Sequence, residues 1–258
     1  MKILKKILMI SALCFIAFFI YDHLLLNNID PKKHKDNIRI GTINLHEHNI
    51  SADDLKRLRT YQCDIWLFLE WNGTNLDNDA AFTSDYIKNF ELSHAGTFGV
   101  SVFSTFADLT VEEIGAENRP YACDYPKFII HGKDFELFLL HAPPPVPSCK
   151  FETGKYITDF LPYIKHSKKN AQIIIGDLNS VPFQESIGAI KKMGFTDSHD
   201  EISNLPQGTF APFTWCPKFL KFDYLFHNQY VQAAAVERFS ISTSDHSGWI
   251  ADYQIKNH

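Results

Sequence analysis

The run Ile173-Ile174-Ile175, followed at once by Gly176-Asp177-Leu178-Asn179-Ser180, constrains this chain more than any other stretch. Three consecutive isoleucines read as a buried strand, and the glycine breaks it. Asp177 and Asn179 then stand two residues apart, a spacing at which side chains of an extended segment point the same way. A carboxylate and an amide at a rigid strand end suit oxygen-rich chemistry, such as activating water beside a hard cation. On these residues alone, a strand running into a polar turn explains the pattern equally well.

The pattern recurs along the chain. A strand over 38–44 ends on Asn44, a helix opens at Ser51-x-x-Asp54 and runs to about residue 61, and an apolar strand over 64–69 delivers Glu70. Short strands are expected over 90–94, 98–104 and 107–113. A hairpin follows, 127–131 and 135–140 around Gly132-Lys133, with His141 at its end. Pro143, Pro144 and Pro145 then forbid further ladder bonds. Helices are expected over 153–166 and 183–193, and strands over 222–226, 231–239 and 248–254, with Ser244-Asp245-His246-Ser247 before the last. Strand termini thus supply Asn44, Glu70, His141, Asp177, Asn179, Asp223, Asp245 and His246. Singly, each is an ordinary turn former or surface residue; the ordered recurrence carries the weight.

Composition limits the partners. Of 25 basic and 30 acidic residues, six lysines and three aspartates fall in the first 36 positions, leaving 19 basic against 27 acidic in the body. This balance argues against a broad basic surface for duplex nucleic acid, although a metal ion and local cations still accommodate a phosphate. At the start, Lys2, Lys5 and Lys6 precede an apolar run over 7–21, a pattern that enters membranes. The expected organisation is a membrane anchor or signal peptide over 1–28, a polar linker over 29–37 and one domain over 38–258. The membrane contact is expected through 7–26, with the domain outside the cytoplasm, in the periplasm or at the cell exterior. Cys63, Cys123, Cys149 and Cys216 permit two disulfides there, or remain buried thiols. Cys123 with Cys149 is the expected pair, because the intervening hairpin returns the chain to its start. No pair has the close spacing of a metal knuckle.

On Gly176-Asp177-Leu178-Asn179 and Ser244-Asp245-His246, with Asn44, Glu70, His141 and Asp223 in order, the chain resembles the endonuclease/exonuclease/phosphatase superfamily of deoxyribonuclease I-like fold. The matching motifs span about residues 38 to 253. The resemblance implies an α/β fold, a four-layer α/β/β/α sandwich of two mixed β-sheets flanked by helices, with a cleft at one end. By position it implies that Glu70, Asn44 and Asp245 hold a metal, Mg²⁺ with Mn²⁺ as the alternative, since the donors are hard oxygens. Asp177 resembles the residue that orients or deprotonates water, and Asn179 the one that positions phosphate or nucleophile. His246 resembles the phosphate-contacting histidine with Asp223 as its carboxylate partner, and His141 a proton donor or second phosphate contact. The implied substrate is a phosphoester in a nucleic acid, a phospholipid or a small molecule, and no protein partner is implied. A noncatalytic envelope scaffold on the same fold is the alternative.

Three positions depart from the superfamily pattern. Ile43, Leu69 and Leu139 stand where many members carry Trp, Gln and Asn, and losing the two amides is expected to narrow the phosphate contacts. Outside the motifs, the aromatic stretch 210–222 reads either as packing at one end of the sandwich or as a substrate or bilayer wall. Arg119 is a further candidate for reaching phosphate, or a plain surface arginine.

Overall fold

The computed structural model describes residues 2–25, 36–72, 80–92, 99–114, 125–146, 149, 152–203, 208–212 and 216–256. In chain order the elements are α1 (Lys2–Leu25), β1 (Ile38–Asn44), α2 (Ala52–Thr60), β2 (Ile65–Leu69), α3 (Ala80–Asp85), β3 (Ile87–Leu92), β4 (Val100–Ser104) and β5 (Thr110–Ile114). Next come β6 (Lys127–His131), β7 (Phe135–His141), α4 (Glu152–His166), β8 (Ala171–Asp177), α5 (Glu185–Lys192), β9 (Thr196–Asp197), α6 (Ser198–Ile202), β10 (Asp223–His227), β11 (Val231–Ser240) and β12 (Ser247–Ile255).

Strand alternation explains the layering. Ile65, Leu67 and Leu69 of β2 face one core, while Trp66 and Phe68 face another. Likewise Ile173 and Ile175 of β8 point inward and Ile174 outward. Strands buried on both faces read as continuous apolar runs, which is why these stretches showed no polar side. The strands form two sheets of six, ordered β11-β12-β1-β2-β4-β3 and β5-β6-β7-β8-β10-β9. Both are mixed, since β1 pairs parallel with β2 and β7 with β8 among antiparallel neighbours. Between the sheets lies one core, with Leu67, Val102 and Trp249 from the first and Phe128, Leu137 and Leu225 from the second. Beyond the first sheet, Leu55 and Leu58 of α2 and Phe82 of α3 cover Trp66 and Phe68. On the far side of the second, Tyr156, Ile157 and Phe160 of α4 and Ile187 and Ile190 of α5 cover Phe138 and Ile174. The result is the expected α/β/β/α sandwich.

The differences from expectation are local. Helices α3 and α6 span six and five residues, too short to set up a helical period, and β9 spans two. Strand β3 begins at Ile87, earlier than expected, because a register shift between Lys88 and Phe90 extends its pairing with β4. Cys149 is disulfide-bonded, whereas Cys14, Cys63 and Cys216 carry thiols; Cys123, the expected partner, lies outside the described residues. The N-terminal apolar run folds as α1, and among the described residues no helix is long and apolar enough to cross a membrane. The expected span through 7–26 is corrected to that extent. Several side chains of α1, Phe15, Phe18 and Phe19 among them, lie outside the described set.

Candidate active site

Register brings the motifs together. Parallel pairing sets His141 of β7 opposite Asp177 of β8, and antiparallel pairing sets Asp223 of β10 opposite the same Asp177. Three titratable groups thus form one row across the end of the second sheet. In the first sheet Asn44 closes β1 opposite Leu69, and Glu70 follows directly. Gly176 makes the approach feasible: its φ is 135°, and a Cβ there would stand 2.0 Å from the carbonyl oxygen of Leu140. Among the described residues, five non-glycine residues have positive φ, and four of them surround the cleft: His46 (50°), Glu47 (59°), Glu70 (52°) and Asn179 (45°). Left-handed backbone at non-glycine positions persists where surrounding structure holds it, and it clusters at functional sites.

Asn44 joins the two sheets. Its Nδ2 donates to Glu70 Oε1 at 2.9 Å and to Asp177 Oδ2 at 3.1 Å. The other Asp177 oxygen accepts from the backbone N–H of Asn179 at 2.8 Å, and Asn179 Nδ2 donates to the carbonyl of Ala142 at 2.9 Å. Asn179 therefore ties the exit of β8 to the exit of β7. On the opposite side, His246 Nδ1 lies 2.9 Å from Asp223 Oδ2, and His246 Nε2 lies 3.7 Å from Asp177 Oδ2. Ser244 Oγ accepts from the His246 N–H at 3.0 Å and donates to the Asn44 carbonyl at 2.6 Å, which locks the His246 turn to β1. Thr209 Oγ1 accepts from the N–H groups of Phe222 and Asp223, each at 3.0 Å. The Lys218 ammonium donates to the carbonyls of Ser244 and Asp245.

The charges are unusual for their positions. Asp177 has no exposed surface. Burial and then the neighbouring Asp223 push its carboxyl up to about 6, against the pull of His246 and His141. For His246, burial disfavours the cation, but the charges of Asp223 and Asp177 and the hydrogen bond that His246 donates to Asp223 outweigh it and raise the imidazole to about 9. A neutral-pH site thus holds an imidazolium beside a carboxylate close to its own titration. Burial would also raise Glu70, yet His141 and Asn44 hold it below the ordinary carboxylate range. The His141 contact is electrostatic rather than a good hydrogen bond, since Nε2 stands 3.5 Å from Glu70 Oε1.

The sequence profile of the Endonuclease/Exonuclease/phosphatase family matches residues 41–246, which carry every one of these groups. The chain belongs to this family. It is accordingly a hydrolase of phosphoester bonds. Solved structures agree in fold. D. rerio TDP2 complexed with single strand DNA product has a TM-score of 0.67 at 14% identity, covering 85% of this chain and 99% of that one. The human Nocturnin catalytic domain with bound sulfate gives 0.59 at 12% identity, covering 87% and 97%. The Bacteroides thetaiotaomicron mannosyl-6-phosphatase gives 0.58 at 15%, covering 84% and 99%. No curated protein matches the chain in sequence.

Enzymes of this family typically depend on a divalent metal, and two groupings here offer donors. Asp177, Asp223 and His246 bring one ligand atom each within 4.8 Å of one another. That trio is ill suited to an ion, because both nitrogens of a protonated His246 are donors rather than ligands. The better fit is at Glu70 and Asp245. Glu70 Oε2 and Asp245 Oδ1 are buried and have no hydrogen-bond partner. Buried, unpartnered carboxylate oxygens are costly unless a cation satisfies them. Their hard oxygen chemistry fits a divalent ion.

All eight residues singled out in the sequence meet at this end of the sandwich. Arg119 lies outside the described residues. The divergent Ile43, Leu69 and Leu139 are buried in the apolar cores, so these side chains pack the sandwich rather than line the cleft. In the aromatic stretch, Phe210 stacks on Phe222 at 5.2 Å and lies 4.9 Å from the His246 ring, while Phe219 is half exposed. The stretch therefore packs against the site at Phe210 and Phe222, as the packing reading expects. Sequence reasoning missed His46, whose Nδ1 stands 3.9 Å from Glu70 Oε2 and 3.5 Å from Asp245 Oδ1. Its position two residues past Asn44 was the only available signal.

Proposed function

We propose that the chain is a membrane-associated, divalent-metal-dependent phosphodiesterase that acts by in-line attack of water on phosphorus. The observation that carries this reading is the Asp177–His246–Asp223 group, where a buried base of raised pKa faces an imidazole that is protonated at neutral pH. Asp177 takes the proton of the attacking water, and the Asn179 N–H that donates to its Oδ1 holds the carboxylate in place. His246, charged by Asp223, stabilises the negative charge that grows on the phosphoryl oxygens. His141, buried with both ring nitrogens unbonded, is the group that meets the leaving oxygen. Glu70, Asp245 and Asn44 would hold the metal. When bound, the ion supplies charge neutralisation and polarises the phosphoryl group.

The substrate reading rests on charge and shape. An acidic body disfavours long duplexes, whose binding draws on many cationic contacts. Phe183, 89% exposed in the segment after β8, and Phe219, half exposed in the segment before β10, offer apolar surface on the segments that flank these two cleft strands. A small phosphodiester or the end of a single strand suits both features, and the fold's occurrence in a complex with single strand DNA product supports it. Membrane association rests on α1, whose apolar side chains Leu4, Ile7, Met9, Ile10, Leu13, Ile16 and Ile20 are exposed to solvent around the helix. A helix apolar on all sides is stable in lipid or under protein cover. The disulfide at Cys149 agrees with a domain outside the cytoplasm.

The test is a substrate panel with the full chain: 4-nitrophenyl phosphate as a monoester, bis(4-nitrophenyl) phosphate, single-stranded DNA, duplex DNA and phospholipid, each with and without divalent metal and vesicles. Metal-dependent cleavage of the small diester and single strand, with co-flotation on vesicles, is the expected result. Cleavage of monoesters alone would overturn the diesterase reading, and failure to float would overturn the membrane reading.

A further inference from the structure

We infer that Thr209 is a positioning residue for the proposed hydrolysis: it splints the Asp223–His246 pair, which the two sheets by themselves do not hold together. The inference rests on the reading of His246 as the imidazolium that stabilises the phosphoryl oxygens, and concerns what keeps it in place.

The need for a splint follows from topology. His246 stands directly before β12 in the first sheet, and Asp223 opens β10 in the second. Ladder register fixes distances within a sheet, whereas the gap between two packed sheets is set by the side chains that fill it. Yet His246 Nδ1 is held 2.9 Å from Asp223 Oδ2, with both residues buried. What fixes such a distance is a tie that crosses between the sheets and grips the backbone beside both partners.

Thr209 makes that tie. Its Oγ1 accepts from the N–H groups of Phe222 and Asp223, each at 3.0 Å, and its carbonyl accepts from the N–H of Ser247, next to His246, at 2.6 Å. One residue with no exposed surface thus holds the Asp223 backbone through its side chain and the His246 turn through its main chain. Around it, Phe210 pairs antiparallel with His246 on one flank and with Leu220 on the other, and its ring lies 4.9 Å from the imidazole. Gly208 lets this ribbon close, because a Cβ there would collide with the Lys218 carbonyl. Trp249 also crosses between the sheets, its Nε1 donating to the Asp223 carbonyl at 3.1 Å, but that contact grips only one of the two partners.

Threonine suits this place because a hydroxyl oxygen has two lone pairs, one for each N–H, and the branched side chain restricts the rotamer that aims them. Valine has the same shape but cannot accept, so Thr209→Val leaves two buried N–H groups unanswered and frees the turn that bears Asp223. Serine keeps the oxygen. The alternative is that Thr209 only stabilises the fold, as Ser198 does where its Oγ bridges Tyr253 and His227, at the far end of β10 from Asp223, at 2.9 and 2.8 Å. The two roles part at turnover, because a general loss of stability leaves the folded fraction fully active.

The experiment compares wild type, Thr209→Val, Thr209→Ser and Ser198→Ala as full chains in detergent. It reads kcat and KM on bis(4-nitrophenyl) phosphate under saturating metal, thermal melting, and the downfield proton NMR resonance of the His246 Nδ1–H bonded to Asp223. Thr209→Val should lower kcat about 100-fold, change KM by less than about threefold, and lose the resonance. Thr209→Ser should keep the resonance and hold kcat within about threefold of wild type. Ser198→Ala should melt lower with kcat and resonance unchanged. Wild-type kcat and resonance in folded Thr209→Val, no rescue by serine, or an equal loss of kcat in Ser198→Ala overturns the inference. If Thr209→Val does not fold, hydrogen exchange of the wild type decides. The Asp223 and Ser247 amides should exchange together at the rate of global unfolding, and unlinked exchange of the two overturns the splint. The resonance separates the two levels: a wild type that turns over no phosphoester fails the proposed function, while a resonance that Thr209→Val removes still upholds the splint.

Discussion

Asp177 and His246 concentrate the chemistry of the site in one charge pair. Turnover requires Asp177 ionised and His246 protonated, so activity should rise as pH passes about 6 and fall as it passes about 9. A pH–kcat profile under saturating metal checks this; the two limbs belong to the pair rather than to either residue alone. The same shifts govern stability. For Asp177 the folded carboxyl sits above its ordinary 3.8, so the stabilising contribution of the bound proton is complete below that value and is lost as pH rises through about 6. Above that, the protein carries a buried negative charge that function requires and folding disfavours. Asp177→Asn should therefore raise the melting temperature of the metal-free protein at pH 7.5 while leaving it nearly unchanged at pH 4. A lower Tm at pH 7.5 would show that the Asp177 charge stabilises the fold through His246 instead.

At the level of elements, the β7–β8 ladder decides whether the site assembles. Gly176 has left-handed backbone, and any side chain would collide with the Leu140 carbonyl on the neighbouring strand. Gly176→Ala should lower stability by about 2 kcal/mol or more and reduce turnover over 100-fold, since Asp177 follows directly. Gly188, inside α5 with open space around its Cβ position, provides the contrast. Gly188→Ala should raise stability by about 0.5–1 kcal/mol without altering turnover, and urea denaturation of both variants checks the pair.

These elements also mark what the sequence makes legible. The long apolar strands β2, β7 and β8 announce themselves because both faces are buried, and the polar residue ending each one points to a common rim. Register is not written there. Nothing in the local sequence states that Asp223 lies opposite Asp177, a contact 46 residues apart across an antiparallel pair. Short α3, α6 and β9 are set by packing rather than by any period of their own. His46 escaped notice for a related reason. It follows Asn44 in what reads as a polar turn, and only the folded loop turns its ring toward Glu70 and Asp245.

On the scale of the whole molecule, the sandwich sets the entry of the chain and the chemistry at opposite ends. The chain enters β1 at Ile38 and reaches the site at Asn44, so β1 carries it about 20 Å from one end of the sheets to the other. The polar segment before Ile38 thus joins the domain at the end remote from the cleft. Across the first sheet, Arg39 and Asp252 form a buried bidentate pair, at 2.6 and 2.7 Å, that fixes β1 against β12. The cleft end carries strain and unpaired oxygens, while the far end is fully bonded at this pair, a division in which one end of the fold holds the other in its reactive arrangement.

The proposed chemistry stands on Asp177 as the base that activates water and on Glu70 as the residue that would hold the metal. Its most direct test is hydrolysis of bis(4-nitrophenyl) phosphate by wild type, Asp177→Asn and Glu70→Gln, each first shown to melt cooperatively. Wild type should release nitrophenolate in a metal-dependent reaction abolished by chelation, and both variants should lose about 10³-fold or more. Wild-type turnover in Asp177→Asn, or chelator-resistant turnover in the native chain, would contradict it.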